Sequence, residues 1–332
     1  MKVEVAGAGV IGLTCAWALT EAGHDVTVYD PAPGRGATYA AAGMVAPAGE
    51  AWFGEESLLR LGLASAALWP DLAARLEVGF ASTGALLVGR DASDLATVRR
   101  SADLLARHGV RVEESDVHGL EPTLSDRVVG GLHLPTDGHV NPREVTTALL
   151  RRLGHRVVPT MAPGTGDVVV RCTGTAAHPG IHPVRGEILR VRTQDPPAHV
   201  VRGLVRGRPV YLVPRAAGEV VIGATSEHHQ GRPVPTVGGV LRLLEDAREL
   251  VPSLGTAEVL EVLARDRPGT ADNGPMIGRV GDREVLAAGH YRGGVLLAPI
   301  TAAAVVSIVS GTEPPAAVLP FHPSRFHQEV PA

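Results

Sequence analysis

Apolar and polar positions along the chain first predict a strand, a helix and a second strand. Residues 3–6 form a short apolar run typical of a buried strand. Residues 10–22 predict a helix that ends at Gly23, and residues 25–29 predict the next strand. Two strands joined by one helix over this length form a βαβ unit. The chain therefore begins with a predicted parallel α/β unit.

The remaining pattern mixes helical spacing with strand-like runs. The segment 55–76 predicts one or two helices with a break at Trp69-Pro70, and the small-residue-rich segment 34–50 predicts irregular structure. Further helices are predicted at 91–108, 141–153, 237–251 and 299–310. Strands are predicted at 84–90, 130–140, 157–158, 168–170, 256–266 and 283–288, with antiparallel sheet over 184–227.

This order of elements predicts a mixed α/β (α+β) fold with two discontinuous domains. The βαβ-like material occurs at the start, in the middle and near the end of the chain, with antiparallel segments between. A Rossmann-like nucleotide-binding domain is predicted at 1–80, 138–182 and 268–332. An antiparallel-sheet substrate domain is predicted at 81–137 and 183–267.

Composition removes several classes of function. The net charge of the 332 residues is −4 and no run of like charges occurs, so nucleic-acid binding is not expected. Only one of the 31 Lys and Arg residues is a lysine, Lys2 at the start of the first strand. Without another lysine, the chain is not expected to carry pyridoxal phosphate as a Schiff base or to form a nucleoside-triphosphate P-loop.

Cysteine usage and hydropathy indicate the compartment. The two cysteines, Cys15 and Cys172, suit a reducing cytosol better than a disulfide framework, and neither belongs to a Cys-x-x-Cys pair. No segment has the length of uninterrupted apolar sequence that a membrane span needs, and the apolar N-terminus lacks the basic leader of a signal peptide. A cytoplasmic protein with no membrane partner is therefore expected.

Glycines at the start of the first helix indicate a dinucleotide site. Gly7, Gly9 and Gly12 form a Gly-x-Gly-x-x-Gly pattern between the strand and the helix, where backbone N–H groups can face a pyrophosphate. Asp30 ends the second strand, where its carboxylate can accept hydrogen bonds from a ribose. An acid at this position favours an unphosphorylated ribose over NADP.

The segment from Gly34 to Glu50 has two interpretations. It can be a surface loop, since small residues are common there. Its Ala-Ala-Ala-Gly-Met run, at 40–44, is also nearly free of side chains, which suits a backbone that passes close to a flat ring. Thr38 is a candidate hydrogen-bond partner for a phosphate. The pattern alone does not separate the two.

Two arginines near the C-terminus lie in turn-rich sequence at strand ends. Arg267 begins the run RPGTADNGPMIG, and Arg292 lies in HYRGG just after the last predicted strand. A single arginine is usually a solvated surface charge. Two of them flanked by glycine and proline are candidates to bind a carboxylate through both nitrogens. The helix that begins at Pro299 presents its positive end toward residues 293–296, where negative charge on a bound ring would be stabilised.

Two other groups of residues are candidates with competing interpretations. Tyr211 lies in a predicted strand, where core packing and ligand contact are equally good interpretations. His228 and His229 are adjacent, but neighbours on a strand point to opposite faces, so a shared metal is not predicted and a solvated turn is expected. The sequence predicts no metal site.

Four motifs together resemble one enzyme family. They are the AAAGM run, VYLVPR followed by VIGAT, RPGTADNGPMIG and AAGHYRGGVLLAP. This combination resembles the glycine oxidases of the D-amino-acid oxidase superfamily, flavoproteins that feed the thiazole branch of thiamine biosynthesis. The resemblance spans nearly the whole chain. It implies a non-covalent FAD and oxidation of glycine, sarcosine or D-amino acids by dioxygen, giving an α-keto acid, ammonia or an amine, and hydrogen peroxide. A homo-oligomer is also expected.

The resemblance assigns roles by position. It makes Arg292 the clamp for the substrate carboxylate, Arg267 the second arginine, Tyr211 the active-site tyrosine and Ser226 a residue of the pocket wall. It also implies that Val158 lies near the adenine. The full set of FAD-binding residues expected from the glycine motif and the resemblance is Gly7, Gly9, Val10, Ile11, Gly12, Asp30, Pro31, Thr38, Ala42, Gly43, Met44, Val158, Gly174, His290, Tyr291, Gly293, Gly294, Val295 and Leu296.

The chain departs from the family pattern at several positions. Ser226 stands where a methionine lines the family's pocket, and Gly293 replaces an asparagine. The chain between Val158 and Asp167 is too short for the β-hairpins usual there, and the run at 171–174 is closer to the D-amino-acid oxidases. A smaller Ser226 predicts a roomier or more polar pocket, which leaves the preferred amine open.

Two rival hypotheses remain at this point. An NAD-dependent dehydrogenase could use the same glycine turn, but it would leave the AAAGM segment and the 289–299 loop unexplained. A protein that binds FAD without catalysis is the other alternative, although both arginines and the tyrosine are present. Flavin absorbance separates FAD from a nicotinamide, and peroxide release separates an active enzyme from an inactive one.

Overall fold

A computed structural model describes residues 1–229 and 231–326 of the chain. The helices in this part are α1 (Val10–Glu21), α2 (Ala37–Ala40), α3 (Glu56–Ala66), α4 (Trp69–Leu76), α5 (Ala92–Arg107), α6 (Val117–Leu120), α7 (Pro142–Leu153), α8 (Val237–Leu250) and α9 (Ala298–Ser310). No helix in the described residues combines the length and the apolar character needed to cross a bilayer.

The strands of the described part belong to three sheets. In chain order they are β1 (Lys2–Ala6), β2 (Asp25–Tyr29), β3 (Met44–Val45), β4 (Phe80–Ala81), β5 (Ala85–Gly89), β6 (Glu113–Glu114), β7 (Gly130–Leu134), β8 (Gly138–Val140), β9 (Val157–Val158), β10 (Val168–Arg171), β11 (His182–Arg192), β12 (Val200–Val205), β13 (Arg208–Pro214), β14 (Glu219–Gly223), β15 (Glu227–His228), β16 (Glu258–Gly269), β17 (Met276–Arg279) and β18 (Glu284–Ala288).

The first sheet carries the predicted βαβ unit. Its order is β17-β18-β10-β1-β2-β9, and all neighbours are parallel except β17 with β18. Helix α1 is apolar on nearly all sides because it packs against both α7 and α9, which bury it from two directions. The carboxyl ends of β1, β2 and β10 therefore meet at one edge beside the start of α1.

The second sheet has nine strands and is mainly antiparallel. Its path is β15-β11-β14-β13-β12-β5-β7-β6, and β16 pairs with β11. Alternate residues of β12 and β13 face opposite layers, with Val201, Val205 and Leu212 under α8. Tyr211 lies on the other face, in the layer that also contains parts of α5 and the segment around Ala42. This face of the large sheet forms one wall of the candidate site.

A small third sheet has the strand order β3-β8-β4. All strands of the first sheet fall within the segments predicted for the nucleotide domain. The last of these segments, 268–332, also contains the final two residues of β16, a strand of the large sheet. The strands of the large sheet fall within 81–137 and 183–267 apart from the first residue of β11 and the last two of β16. The domain division itself stays a prediction.

Three predicted elements differ from the structure. The run 130–140 is two strands in different sheets, because Asp137 and the two residues before it form a turn. The break between α3 and α4 lies at Ala67 and Leu68, since Pro70 is tolerated in the first turn of α4. Segment 34–50 is not wholly irregular, because it contains α2 and β3.

Candidate active site

Backbone contacts build the turn after β1. Gly7 has a φ of +104°, and a Cβ atom on it would lie 2.5 Å from the carbonyl oxygen of Cys172. A Cβ atom on Gly12 would lie 1.9 Å from the carbonyl oxygen of Gly7. Neither position accommodates a side chain, so glycine is required for β1, α1 and β10 to meet here. The amino end of α1, at Val10, is thereby left beside open space in which it can hold a pyrophosphate.

Two polar side chains complete this end of the site. Asp30 Oδ2 accepts a hydrogen bond of 2.7 Å from Ala8 N, and its Oδ1 accepts one of 2.8 Å from Ala32 N. Thr38 Oγ1 accepts a bond of 3.1 Å from Val10 N and keeps its own proton to donate. Both residues hold the turn in place, and both line the cavity described below. Contacts from them to a ribose and a phosphate stay predictions.

The small-residue segment runs along the cavity. Gly43 has a φ of +76°, and a Cβ atom on it would lie 2.1 Å from the carbonyl oxygen of Val140. Val140 N donates a bond of 2.9 Å to the carbonyl oxygen of Gly43, and the Arg215 guanidinium donates to the carbonyl oxygen of Ala42. These contacts hold the backbone flat against β8, which supports the interpretation of this segment as a ring-binding wall rather than a surface loop.

One cavity connects the glycine turn to the face of the large sheet. Its volume is about 1480 Å³, which exceeds the usual size of a small-ligand pocket and leaves room for a dinucleotide together with a substrate. The predicted site residues that line it are Gly7, Gly9, Val10, Ile11, Asp30, Pro31, Thr38, Ala42, Gly43, Met44, Gly174, Tyr211, Ser226, Arg267, His290, Tyr291, Arg292, Gly293, Gly294, Val295 and Leu296.

Two predicted residues do not line this cavity. Gly12 packs inside the turn against the carbonyl oxygen of Gly7, where there is no room for a side chain. Val158 is on the edge strand β9, and its carbonyl oxygen accepts a bond of 3.2 Å from Asp30 N. The chain that follows β9 places Met161 and Gly164 in the cavity wall at this end. The predicted proximity of Val158 to the adenine stays a prediction.

The substrate end brings together Tyr211 and Arg267 from different strands. Tyr211 lies opposite Gly223 on β14, and a Cβ atom there would lie 2.3 Å from the tyrosine oxygen. The Arg267 guanidinium lies over Gly186 on β11, where a Cβ atom would be 2.3 Å from Nη1. Missing side chains at both glycines thus make room for these two groups. Both side chains line the same cavity, and burial raises the pKa of Tyr211 above its ordinary value, against the lowering effect of the positive charge of Arg267.

The two arginines have different surroundings. Arg292 lies 3.2 Å from a carboxylate oxygen of Glu55 and 3.5 Å from one of Glu50. Arg267 donates a bond of 3.0 Å to the carbonyl oxygen of Thr225, and no carboxylate in the described part of the chain lies within 4.0 Å of it. Among the described residues, Arg267 therefore has no carboxylate partner, whereas Glu50 and Glu55 already balance the charge of Arg292.

Ser226 and Tyr291 meet at the rim of this end. Ser226 Oγ and the Tyr291 hydroxyl are 3.1 Å apart, and Ser226 is exposed. The Arg292 guanidinium lies 4.7 Å from the centre of the Tyr291 ring and 5.5 Å from that of Trp52. Ser226 thus lies in the cavity wall, and two aromatic rings pack against the Arg292 guanidinium beside it.

A chain of alternating charges lies behind the arginines. Arg202 Nη1 donates a bond of 2.6 Å to Glu50 Oε1, and Glu50 Oε2 faces Arg292 Nε. Asp137, fully buried next to them, accepts hydrogen bonds from the backbone. Burial raises the pKa of Asp137 to about 7, against the lowering effect of its hydrogen bonds and of Arg202.

His290 begins the C-terminal loop but is not positioned for acid–base chemistry. Its Nε2 atom lies 2.9 Å from Thr301 Oγ1, and burial lowers its pKa to about 3. It is therefore neutral near pH 7. The other end of the loop is held by Ser65 and Trp69, which donate bonds of 2.6 and 3.0 Å to the carbonyl oxygen of Leu296. These donors fix the loop where it borders the cavity.

The histidine pair behaves differently from the prediction in one respect. His229 Nε2 lies 2.7 Å from Asp266 Oδ1 and its side chain is 11% exposed, so it is not a solvated turn residue. His228 is exposed and its ring stacks at a tilt on His182. The described residues contain no group of three or more His, Cys, Asp or Glu side chains arranged to hold a metal.

Sequence reasoning missed the charged residues Glu50, Glu55, Arg202 and Asp137. Glu50 is the last residue of the small-residue-rich segment 34–50, and a charged residue in that apolar context could have indicated a role in the site. The other three lie in separate elements with no local pattern that sets them apart. Only the fold shows that they share one network with Arg292.

The geometry defines a class of protein, and comparison with known families agrees. The family model described as DAO, FAD dependent oxidoreductase, matches residues 2–308. The chain belongs to this family. It is an FAD-dependent oxidoreductase, and the predicted cofactor, fold class and resemblance are confirmed. The glycine turn, the flat segment at residues 42–44 and the cavity volume fit FAD. Which residues contact each part of the cofactor stays a prediction.

Relatives of the chain carry related names. The chain is 36% identical over 320 residues to the putative thiamine biosynthesis oxidoreductase ThiO of Rhizobium etli, covering 92% of this chain and 95% of that one. It is 30% identical over 374 residues to the glycine oxidase of Geobacillus kaustophilus, covering 97% and 96%. The crystal structure of glycine oxidase from Geobacillus kaustophilus superposes with a TM-score of 0.88 at 27% identity, covering 96% of this chain and 97% of that chain.

Another relative is a longer protein. The bifunctional protein ThiO/ThiG of Trichormus variabilis is 31% identical over 362 residues, which cover 99% of this chain and 55% of that protein. The matched region is thus one part of a larger chain there.

Proposed function

We propose that the protein catalyses FAD-dependent oxidative deamination of glycine or another small amine or D-amino acid. The products are the imino or keto acid, ammonia and hydrogen peroxide, and the proposed role is synthesis of the thiazole of thiamine. The names of the relatives in Rhizobium etli and Geobacillus kaustophilus support this assignment. The alternative within the class is an oxidase of the sarcosine or D-amino-acid type with another preferred substrate.

One observation carries the proposal: a guanidinium that has no carboxylate partner in residues 1–229 and 231–326 lines the same cavity as a tyrosine. Arg267 and Tyr211 both line the cavity, and the positive charge of Arg267 acts on the Tyr211 hydroxyl. A substrate carboxylate would pair with Arg267 through both oxygens, with the Tyr211 hydroxyl as an additional donor. Arg292, the clamp expected from the resemblance, is the weaker candidate because Glu50 and Glu55 already balance it.

The residues of the wall provide orientation rather than a strong base. Glu50 has one carboxylate oxygen on Arg202 and the other facing Arg292, and His290 is buried and neutral. Bound FAD would accept the hydride from the substrate and pass the electrons to dioxygen. The chain would hold the substrate carboxylate, exclude water with its apolar walls and keep the reacting carbon in one orientation.

A peroxide assay tests the proposal directly. The purified protein, loaded with FAD, is mixed in separate reactions with glycine, sarcosine, N-ethylglycine, D-alanine, D-proline and aminophosphonates. Oxygen-dependent peroxide release with at least one of the amino acids is expected. A protein that binds FAD but releases no peroxide with any of them would be the inactive flavin-binding alternative. Since the family is FAD-dependent, the NAD-dependent alternative has no further support.

The same preparation tests how the flavin is attached. Acid or heat is expected to release intact FAD into solution, because the chain has no cysteine after Cys172 that could form a thioether near residues 289–297. Flavin that stays with the precipitated protein would contradict a non-covalent cofactor.

A cytoplasmic location and a homo-oligomeric state are part of the proposal. Two buried thiols, Cys15 and Cys172, that form no disulfide support a reducing compartment. Light scattering on a sizing column tests the oligomeric state, and a monomer at working concentration would remove that part.

A further inference from the structure

The turn between β7 and β8 places a buried carboxylate under the wall of the substrate end. Asp137 is 0% exposed and accepts hydrogen bonds of 3.1 Å from Ala48 N and 2.8 Å from Gly49 N. These two amides directly precede Glu50. A buried backbone N–H without an acceptor is costly, so the carboxylate determines where this stretch of backbone lies.

Gly49 brings the same backbone against Arg202. A Cβ atom on Gly49 would lie 2.8 Å from Arg202 Cδ, 3.0 Å from its Nε and 3.1 Å from Asp137 Oδ2. The arginine therefore packs on the bare glycine, with Asp137 on the same side. Its Nη1 donates 2.6 Å to Glu50 Oε1 and lies 3.2 Å from Met44 Sδ, a residue of the predicted ring-binding segment.

The network then reaches the substrate end. Glu50 Oε2 is 3.5 Å from Arg292 Nε, and Arg292 is also paired with Glu55. Charges thus alternate from Asp137 through Arg202 and Glu50 to Arg292. Removal of the Asp137 carboxylate should move Glu50, because Glu50 directly follows the two backbone amides that Asp137 holds.

We propose that Asp137 is a positioning residue for substrate binding: by holding Ala48 and Gly49 against Arg202, it sets where Glu50 balances Arg292 in the pocket wall. Its effect is on binding rather than on the chemical step, since Tyr211 and Arg267 are held by the large sheet and not by this turn. The inference rests on the proposed function for its kinetic readout only.

Two charged side chains act on Asp137, and each comes from a different element packed against it. Arg202 faces it from β12, and Glu50 faces it from the chain after β3. With a pKa of about 7, the carboxylate changes charge near neutral pH, so the substrate KM should depend on pH there through Asp137.

The test compares Asp137→Asn with Asp94→Asn in the FAD-loaded enzyme. Asp94, on α5, is a matched control because it is also buried, with 3% of its surface exposed. It accepts hydrogen bonds of 2.9 and 2.7 Å from Arg206 N and Gly207 N, which lie in the turn between β12 and β13 of the large sheet and do not line the cavity. An asparagine can accept through only one of its two terminal atoms, so one amide loses its partner in each variant.

Asp137→Asn is expected to raise KM for the preferred amine about tenfold while kcat changes by less than about twofold. Its KM should also lose the pH dependence near 7 that the parent enzyme shows. Amide hydrogen exchange is expected to become faster over residues 44–54 and to stay unchanged over 290–297. Asp94→Asn should leave KM, kcat and exchange of 44–54 at parent values.

Several outcomes overturn the inference. Unchanged KM and unchanged exchange in Asp137→Asn would do so, and so would an equal KM rise in Asp94→Asn. If Asp137→Asn does not fold, Gly49→Ala pushes Arg202 aside with Asp137 intact, and an unchanged KM there would also overturn it. A parent enzyme that releases no peroxide would instead contradict the proposed function, while faster exchange over 44–54 would still support the positioning of this segment.

Discussion

The two ends of the cavity are built by different parts of the chain. At the nucleotide end, backbone amides, glycines and one turn of a helix make the site, and Gly7, Gly9 and Val10 are close in sequence. At the substrate end, side chains make the site, and they come from distant positions such as Glu50, Arg202 and Arg267.

This difference has a physical basis. A pyrophosphate carries charge that backbone N–H groups at a helix end can satisfy, so one strand–turn–helix unit is sufficient. A small amino acid must be held by its carboxylate and oriented at one carbon, which needs side chains that converge from several directions. The nucleotide end is therefore a local structure, and the substrate end is a product of the tertiary fold.

At the nucleotide end, Gly12→Ala is expected to have the largest effect of all the substitutions, on both folding and FAD binding. The new Cβ atom would lie 1.9 Å from the carbonyl oxygen of Gly7, so β1 and α1 cannot keep their positions. We expect little folded protein and no bound FAD, measured by yield and by flavin absorbance. Gly79→Ala is the control, because no atom lies within 4 Å of its Cβ position. Normal flavin content in Gly12→Ala would show that the turn tolerates a side chain.

At the substrate end, the two arginines should differ in effect. Arg267→Ala is expected to lower kcat/KM by about two to four orders of magnitude, because loss of one partner of a desolvated ion pair costs about 2–5 kcal/mol. Arg292→Ala should cost at least about tenfold less, since Glu50 and Glu55 already balance its charge. Both variants should keep FAD. The opposite order of effects would restore Arg292 as the carboxylate clamp.

His290 lies between the two ends and gives a test of burial through pH. Its folded pKa of about 3 lies below the ordinary value of 6.5, so the unfolded chain binds more protons between these values. The free energy of unfolding contributed by this group is thus fully present above about pH 6.5 and is lost as pH falls toward 3. Denaturant titrations of His290→Gln should show a smaller loss on acidification than the parent. Exposed His322, changed to Gln, should not alter that slope.

The smallest expected effect concerns the rim. Ser226→Met should narrow the substrate end and shift preference toward glycine over bulkier D-amino acids by several-fold, because Ser226 lines the cavity and contacts the Tyr291 hydroxyl. The ratios of kcat/KM across the substrate series measure this shift. Unchanged ratios would show that the side chain at 226 does not limit the pocket.

The sequence by itself determined the nucleotide end and the kind of fold. The glycine spacing, the strand before it and Asp30 after it were contiguous, and local patterns of period two and period 3.6 indicated most strands and helices. The motifs around Arg267 and Arg292 also identified the family. Such features are readable because they depend on neighbours in the chain.

Only the tertiary structure decided that Arg292 has two carboxylate partners and that Arg267 has none in the part of the chain that the structure describes. The run 130–140 looked like one strand, yet a turn divides it and buries Asp137 against residues 48 and 49. Glu50, Glu55 and Arg292 meet across more than 200 positions, and no local spacing records such a meeting. Charge balance in a buried site depends on distances through space, which the order of residues along the chain does not contain.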